Sequence, residues 1–190
     1  MATGAGMLDA ATAPRLASRM RAMRRAADHA HVPREVLAVA ALVALHANEP
    51  APACIDLAQR ALAAGPRIVP EPTDLPWFAQ ATIALVWADA HAAAQGPLDA
   101  GVAESRATGD PALFGMSHAH RAWLQLRLGD LQGAEGDART LLEAPGVAAP
   151  PLYGKLAAAI LVNASIEQGR LEQAEGVLDG FGVDEGAQTQ

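Results

Sequence analysis

A seven-residue turn motif occurs twice in this chain, at an offset of 40 residues. Residues 129–135 read Gly-Asp-Leu-Gln-Gly-Ala-Glu and residues 169–175 read Gly-Arg-Leu-Glu-Gln-Ala-Glu, so both fit Gly-x-Leu-x-x-Ala-Glu. Glycine permits the left-handed backbone conformation that often ends a helix. The small alanine five residues later lets the next helix approach closely. The motif therefore predicts a tight corner between two antiparallel helices.

Two weaker candidates extend the repeat towards the N-terminus. Residues 96–101, Gly-Pro-Leu-Asp-Ala-Gly, keep the glycine, the leucine at +2 and a small residue at +5, at an offset of 33. A poorer match begins at Asn48, with Ala53 at +5 and Leu57 at +9. A single helical hairpin cannot bury its apolar face, so hairpins of this kind must stack. We therefore expect an α-α superhelix of antiparallel hairpins with about four repeats.

The composition supports an all-α fold. The chain contains 46 alanines and 22 leucines among 190 residues, both strong helix formers, but only 23 valines, isoleucines and threonines. Helices are predicted at 10–30, 34–47, 51–64, 75–95, 98–107, 111–128, 131–144, 150–168 and 171–179.

Proline and glycine mark the boundaries of these helices. Residues 65–72 contain three prolines and are predicted to be a linker, because proline is excluded from helix interiors. Gly96-Pro97 is read as a further stop, and Asp110 before Pro111 as an N-cap followed by proline at the first helical position. We expect a single repeat domain over residues 1–180 and a flexible acidic tail over 181–190.

The charge distribution argues against nucleic-acid binding. The net charge is −7 and residues 35–190 alone carry −11, so phosphates would be repelled. Residues 1–34 carry +4; this arginine-rich helix could meet an acidic partner or pair with acidic groups of its own chain. Cys54 is the single cysteine, and no signal peptide or transmembrane-length apolar run is visible. These features predict a cytoplasmic protein that does not associate with membranes.

The repeat resembles tetratricopeptide-like helical repeats, and more narrowly the repeat region of the large ATP-binding LuxR-type (MalT-like) bacterial transcription regulators. The resemblance rests on residues 121–131 with Ala134-Glu135, on residues 167–171 with Ala174-Glu175, and on residues 57–62. It implies a module that receives a partner or effector signal. The chain departs from the full family pattern, since it has no phosphate-binding Gly-x-x-x-x-Gly-Lys-Ser/Thr motif and no basic recognition helix. The resemblance therefore implies a sensor segment that does not itself bind ATP or DNA.

No enzyme site is visible in the sequence. The histidine pairs His29/His31 and His118/His120 are two residues apart, whereas helical zinc sites favour a spacing of four. Ser117 adjoins His118, but adjacent helical residues point in different directions, and no nucleophile-elbow motif is present. We therefore expect no catalytic residues, no cofactor and no metal.

A binding groove is the functional feature that the pattern favours. The first helix of each hairpin in a repeat protein faces a common binding surface. Candidate groove residues lie on three predicted first helices, those at 75–95, 111–128 and 150–168. They are Trp123, Arg121, His118, Gln125, Asn163, Glu167 and Trp87. The alternative is that the aromatic residues are packing anchors and the polar residues are merely solvated.

Two functions fit these features of the sequence. The leading hypothesis is a non-enzymatic interaction or effector-sensing module of a cytoplasmic transcription regulator, binding a protein partner or small effector on its concave face. The alternative is a stand-alone scaffold or adaptor that acts through self-association, for example through the apolar stripe of Leu16, Met20 and Met23.

Overall fold

The structure is a computed structural model that describes residues 18, 21–27, 32–63, 75–144 and 151–180. Residues 18 and 21–26 are helical and belong to α1. The remaining helices are α2 (Arg34–His46), α3 (Ala51–Leu62), α4 (Leu75–Trp87), α5 (His91–Thr108), α6 (Pro111–Leu128), α7 (Leu131–Glu143), α8 (Pro151–Glu167) and α9 (Leu171–Gly180). These described ranges contain no strand, which confirms the predicted all-α class.

The contacts divide the chain into two compact units where one domain was expected. The first comprises Met1–Gly65 and Pro76–Ala88, and the second Pro66–Leu75 and Asp89–Gln190. In the first unit, α2 packs against α3. In the second, α6 packs against α5, α7 and α8, and α8 also packs against α7 and α9. The predicted linker at 65–72 and the predicted tail at 181–190 lie outside the described residues.

Four helix corners recur at nearly constant spacing. Asn48, Asp89, Gly129 and Gly169 have φ values of 53°, 56°, 77° and 71°, all in the left-handed region, and the steps between them are about 40 residues. Gly109, with φ of 70°, forms a further left-handed corner at the end of α5, midway between Asp89 and Gly129. Asparagine and aspartate tolerate this conformation better than other residues with a Cβ atom. The corners predicted at Gly129, Gly169 and Asn48 are confirmed.

The corner predicted at Gly96-Pro97 is wrong. Both residues lie inside α5, and the chain turns instead at Asp89. Proline in a helix interior removes one backbone hydrogen bond, at a cost of about 3 kcal/mol. The helix continues because residues on either side of it, Ala94 and Leu98, are completely buried. Burial of this apolar face outweighs the local penalty.

Side-chain caps begin two helices of the second unit. Asp110 accepts hydrogen bonds from the backbone nitrogens of Ala112 at 2.9 Å and Leu113 at 3.1 Å, and Pro111 occupies the first turn of α6. Asp130 accepts from the nitrogen of Gly133 at 3.0 Å and caps α7. The predicted cap at Asp110 is confirmed.

Small residues allow the close helix packing. At the fifth residue after Asp89, Gly129 and Gly169, an alanine is buried; Cys54 occupies the position 40 residues before Ala94 and is also buried. In the second unit, Ala134 belongs to one apolar cluster shared by three helices. Its buried members are Ala119, Ala122, Ala134, Ala138, Leu141, Ala157, Ile160 and Leu161. This cluster fixes α6, α7 and α8 relative to one another.

Arg24 of the arginine-rich N-terminal region pairs with an acidic residue of its own chain. Arg24 donates to both carboxylate oxygens of Glu49, the shortest contact being 2.9 Å. Arg60 of α3 donates to the backbone oxygen of Ala27 at 3.1 Å. Of the predicted apolar stripe, Met23 is half-buried, while Leu16 and Met20 lie outside the described residues.

Candidate functional site

A buried polar cluster joins α6 to α7. Arg121 binds the Asp137 carboxylate with two hydrogen bonds, Nε to Oδ2 and Nη2 to Oδ1, both 2.7 Å long. The Nδ1 atom of His118 lies 2.8 Å from Oδ1 of the same carboxylate. Arg121 also reaches Asp99 on α5 at 3.0 Å. One guanidinium therefore connects three consecutive helices.

The electrostatics of this cluster are those of a structural ion pair. Burial raises the pKa of Asp137, but the hydrogen bonds from Arg121 and His118 outweigh it and the pKa is lowered overall. An ionised carboxylate only accepts, so His118 donates from Nδ1. His118 is completely buried, and its Nε2 atom has no hydrogen-bond partner among the described residues. The structure thus places His118, a predicted groove residue, in the interior between α6 and α7.

Trp123 and Gln125 lie near the packed core. Trp123 is half-buried against the α6–α7–α8 cluster, as the packing-anchor alternative expects. Gln125 is also half-buried, and its Oε1 atom has no hydrogen-bond partner among the described residues. Trp87 belongs to the first unit, where it ends α4 with 41% of its surface exposed and its ring 5.9 Å from that of His46.

Asn163 and Glu167 meet at one cavity. It has a volume of about 270 Å³ and lies between the end of α6, the following corner and α8. Leu126, Gly129 and Leu131 form the rest of its lining. Asn163 and Glu167 are both exposed, and the Nδ2 atom of Asn163 donates to the backbone oxygen of Ala159 at 2.8 Å. Of the predicted groove residues, these two share a described cavity.

A second, larger depression lies on the last hairpin. It has a volume of about 450 Å³ and a mainly apolar lining from α8 and α9. The lining residues are Lys155, Ala158, Ala159, Val162, Asn163, Val177 and Leu178. We call it the α8–α9 groove. The sequence predicted Asn163 as a groove residue but gave no reason to select Lys155, Val177 or Leu178.

The glutamate of the turn motif has a role that the sequence analysis missed. Glu135 accepts hydrogen bonds from Arg170 of the next corner, from Arg139 at 3.0 Å and from Gln173 at 3.3 Å. The hydrogen bond from Arg170 is the main reason that the pKa of Glu135 is lowered to about 2. Recurrence of glutamate at the same place in both motif copies was the signal that could have identified it.

The described residues contain no metal site. Among them, no group of three or more His, Cys, Asp or Glu side chains lies close enough to hold an ion. No described helix combines the length and the apolar composition required to span a bilayer. The chain matches no protein-family model, no curated protein and no solved structure.

Proposed function

We propose that this chain is a non-catalytic helical-repeat interaction module, and that the cavity of Leu126, Gly129, Leu131, Asn163 and Glu167 receives a basic side chain of a protein partner. The observation that carries the proposal is the meeting of two α8 polar residues with two leucines at one open cavity. This cavity lies on successive first helices, α6 and α8, where a repeat module of tetratricopeptide-like architecture would present its binding surface.

The lining suits a lysine or arginine side chain. Glu167 supplies a carboxylate, and Asn163 keeps its amide oxygen as an acceptor because its nitrogen already donates to Ala159. Leu126 and Leu131 provide an apolar surface for the aliphatic stem of such a side chain. The net charge of −7 would also attract a basic partner over longer distances.

A transcription regulator is the proposed context of the module. The support is the resemblance of residues 121–135 and 167–175 to the repeat region of MalT-like regulators. On this proposal the module transmits a partner or effector signal and leaves nucleotide and DNA binding to other segments. A phosphate-binding loop encoded upstream and a helix-turn-helix encoded downstream in the same reading frame would support it. In-frame stop codons on both sides would contradict it.

The cavity is tested by an NMR titration with N-acetyl-lysinamide. Shifts should concentrate at Gly129, Leu131, Asn163 and Glu167, and the Glu167→Gln variant should weaken them severalfold. Glu172→Gln is the matched control, because Glu172 is exposed, carries the same charge and lines neither cavity. Equal shifts in both variants, or shifts spread over all acidic residues, would contradict the proposal.

Self-association is the second candidate, favoured by the exposed leucines of the last hairpin. Leu152, Leu171 and Leu178 are exposed by 68%, 56% and 39%. Exposed apolar surface of this kind marks interaction sites when it is contiguous. Light scattering over a wide concentration range should show a rising mass if this candidate is correct. A constant monomer mass would exclude it.

A further inference from the structure

The α8–α9 groove corresponds, through the repeat, to a surface that is already occupied in this protein. The residues 40 positions before its lining residues lie on α6 and α7. The corresponding residues are Gly115, His118, Ala119, Ala122, Trp123, Asp137 and Ala138. Three of these, Ala119, Ala122 and Ala138, are fully buried members of the cluster that holds α8. The groove is thus the repeat equivalent of the surface on which α8 packs.

Leu178 shows that this equivalent surface is open. Counterparts of Leu178 at 40-residue intervals are Ala58, Leu98 and Ala138, and all three are completely buried. Leu178 itself is 39% exposed although it is as apolar as Leu98. Ala159, the counterpart of the buried Ala119, is likewise exposed. The last hairpin therefore exposes an apolar surface. In the preceding hairpin, α6–α7, the equivalent surface is covered by α8.

The helix that covers the preceding surface defines the shape of a fitting occupant. α8 contributes Ala157, Ile160 and Leu161 to the shared cluster, and Ala164 one turn later is also buried. These positions follow the i, i+3, i+4, i+7 spacing of one helix face. The α8–α9 groove is narrower than the α6–α7 surface at Val162 and Leu178, whose counterparts are alanines, and wider at Ala158 and Asn163. The counterparts of the latter two are His118 and Trp123. A fitting occupant therefore presents both small and larger aliphatic side chains on one helix face.

The motif glutamate defines the charge of the occupant. At the existing interface, Glu135 is bound by Arg170, which directly follows the corner at the end of α8. The counterpart of Glu135 in the last hairpin is Glu175, which is exposed. A helix docked in the groove as α8 is docked on α6–α7 would place the residues after its C-terminal end near Glu175. A basic residue there would repeat the Glu135–Arg170 pair.

We propose that the α8–α9 groove binds an amphipathic helix of another protein, with small or aliphatic residues at i, i+3, i+4 and i+7 and a basic residue just after its C-terminal end. The proposal rests on the interaction function proposed above and names the class of partner. The groove and the cavity of Glu167 share Asn163, but Glu167 lines only the cavity and Leu178 lines only the groove, so variants of these two residues test the two functions separately.

The experiment uses the full chain and a fluorescein-labelled peptide of residues 151–170, the segment that fills the equivalent surface. A hydrocarbon staple between peptide positions 159 and 163, which are exposed on α8, keeps it helical. Fluorescence anisotropy should show saturable binding that weakens about tenfold or more in the Ala159→Glu and Leu178→Glu variants. Leu128→Glu, a change at an exposed leucine outside the groove, should bind like the unmodified chain.

A charge exchange tests the orientation of the bound helix. Glu175→Arg in the chain should weaken the peptide severalfold, and an Arg170→Glu peptide should recover affinity for that variant. Circular dichroism establishes that each variant folds. Absence of binding, equal binding to all variants, or no recovery after charge exchange would overturn the proposal.

Two other possible occupants of the groove would give different experimental results. Dimerisation that is abolished by Leu178→Glu, with no peptide binding, would assign the groove to a second copy of the chain. Peptide binding that appears only after deletion of residues 181–190 would assign it to the chain's own C-terminal segment. Either result would overturn the proposal. Loss of the lysinamide shifts at Glu167 with peptide binding intact would remove only the cavity function.

Discussion

Asp137 is the side chain on which the α6–α7 contact depends most. Its carboxylate is nearly buried and accepts hydrogen bonds from Arg121 and His118, both from α6. Removing one member of a buried ion pair leaves the other charge uncompensated, which costs more than the pair contributes. Arg121, predicted as a partner-binding residue, binds Asp137 and Asp99 within the fold.

The first prediction concerns this carboxylate. Asp137→Asn should lower the free energy of unfolding by about 3 kcal/mol, because Arg121 would lose its buried counterion. Asp99→Asn is the matched control: Asp99 binds the same arginine but is exposed, so its loss should cost about 1 kcal/mol or less. Urea unfolding measures both. Equal losses of unfolding free energy in the two variants would show that the pair with Asp137 stabilises the fold no more than the pair with Asp99.

His120 gives the second prediction, a pH dependence of stability. Burial lowers its pKa to about 4 from an ordinary value of 6.5. The unfolded chain therefore binds a proton between these values while the folded chain does not. The stability that depends on a neutral His120 is fully present above pH 6.5 and is lost as the pH falls towards 4. The free energy of unfolding should therefore fall by about 2 kcal/mol between pH 7 and pH 5. Urea midpoints of His120→Phe should lack this decline; an unchanged decline would assign it to other groups.

Glu135 gives a third prediction at lower pH. The hydrogen bond from Arg170 is the largest cause that lowers its pKa to about 2, against an ordinary value of 4.5. Its contribution to stability is present above pH 4.5 and is lost as the pH falls from 4.5 to 2. Thermal unfolding of Glu135→Gln should show a flatter acid limb than that of the unmodified chain. Arg139→Gln, which removes a weaker partner of the same carboxylate, should change that limb less.

Helix corners show how far the sequence determines these elements. Gly129 and Gly169 could be identified because glycine is the usual residue in a left-handed corner. Asp89 could not, because aspartate occurs in many other settings, and the nearby Gly96-Pro97 looked like a stronger stop. The sequence alone does not show whether burial of Ala94 and Leu98 outweighs the cost of Pro97. That balance depends on contacts between helices distant in sequence.

Two glycines of one hairpin test the corner directly. Gly129 has φ of 77°, so Gly129→Ala should destabilise the protein by about 1 kcal/mol or more. Gly136→Ala is the control, since Gly136 lies within α7 and its Cβ would meet open space. That change should stabilise the protein by up to about 1 kcal/mol, because alanine has the higher helix propensity. Chemical denaturation should give opposite signs for the two variants.

The candidate site was less predictable than the fold. Asn163 and Glu167 were selected as polar candidates on a predicted first helix, and they do share a cavity. His118 was selected from a polar arc on its helix but is completely buried, and Asp137, nineteen residues away in sequence, binds its Nδ1 atom. A polar residue on an apolar helix can face solvent or a buried partner on another helix. The sequence of one helix does not distinguish these cases.

The division into two units leads to a prediction for the molecule as a whole. The second unit contains α5–α9 and the complete α6–α7–α8 cluster. A fragment of residues 89–190 should therefore fold and unfold cooperatively, as observed by circular dichroism during heating. A helical fragment that melts without a cooperative transition would show that its core requires the first unit.

The position of Cys54 has a practical consequence. Cys54 is the chain's single cysteine, and burial raises the pKa of its thiol. The residues at 40-residue intervals after it are Ala94, Ala134 and Ala174, all buried, so alanine already fits such a packing environment. Cys54→Ala should yield a thiol-free protein with its architecture unchanged. A cysteine introduced at any surface position would then be the single thiol available to a maleimide dye. Such variants would make the protein suitable for single-molecule distance measurements.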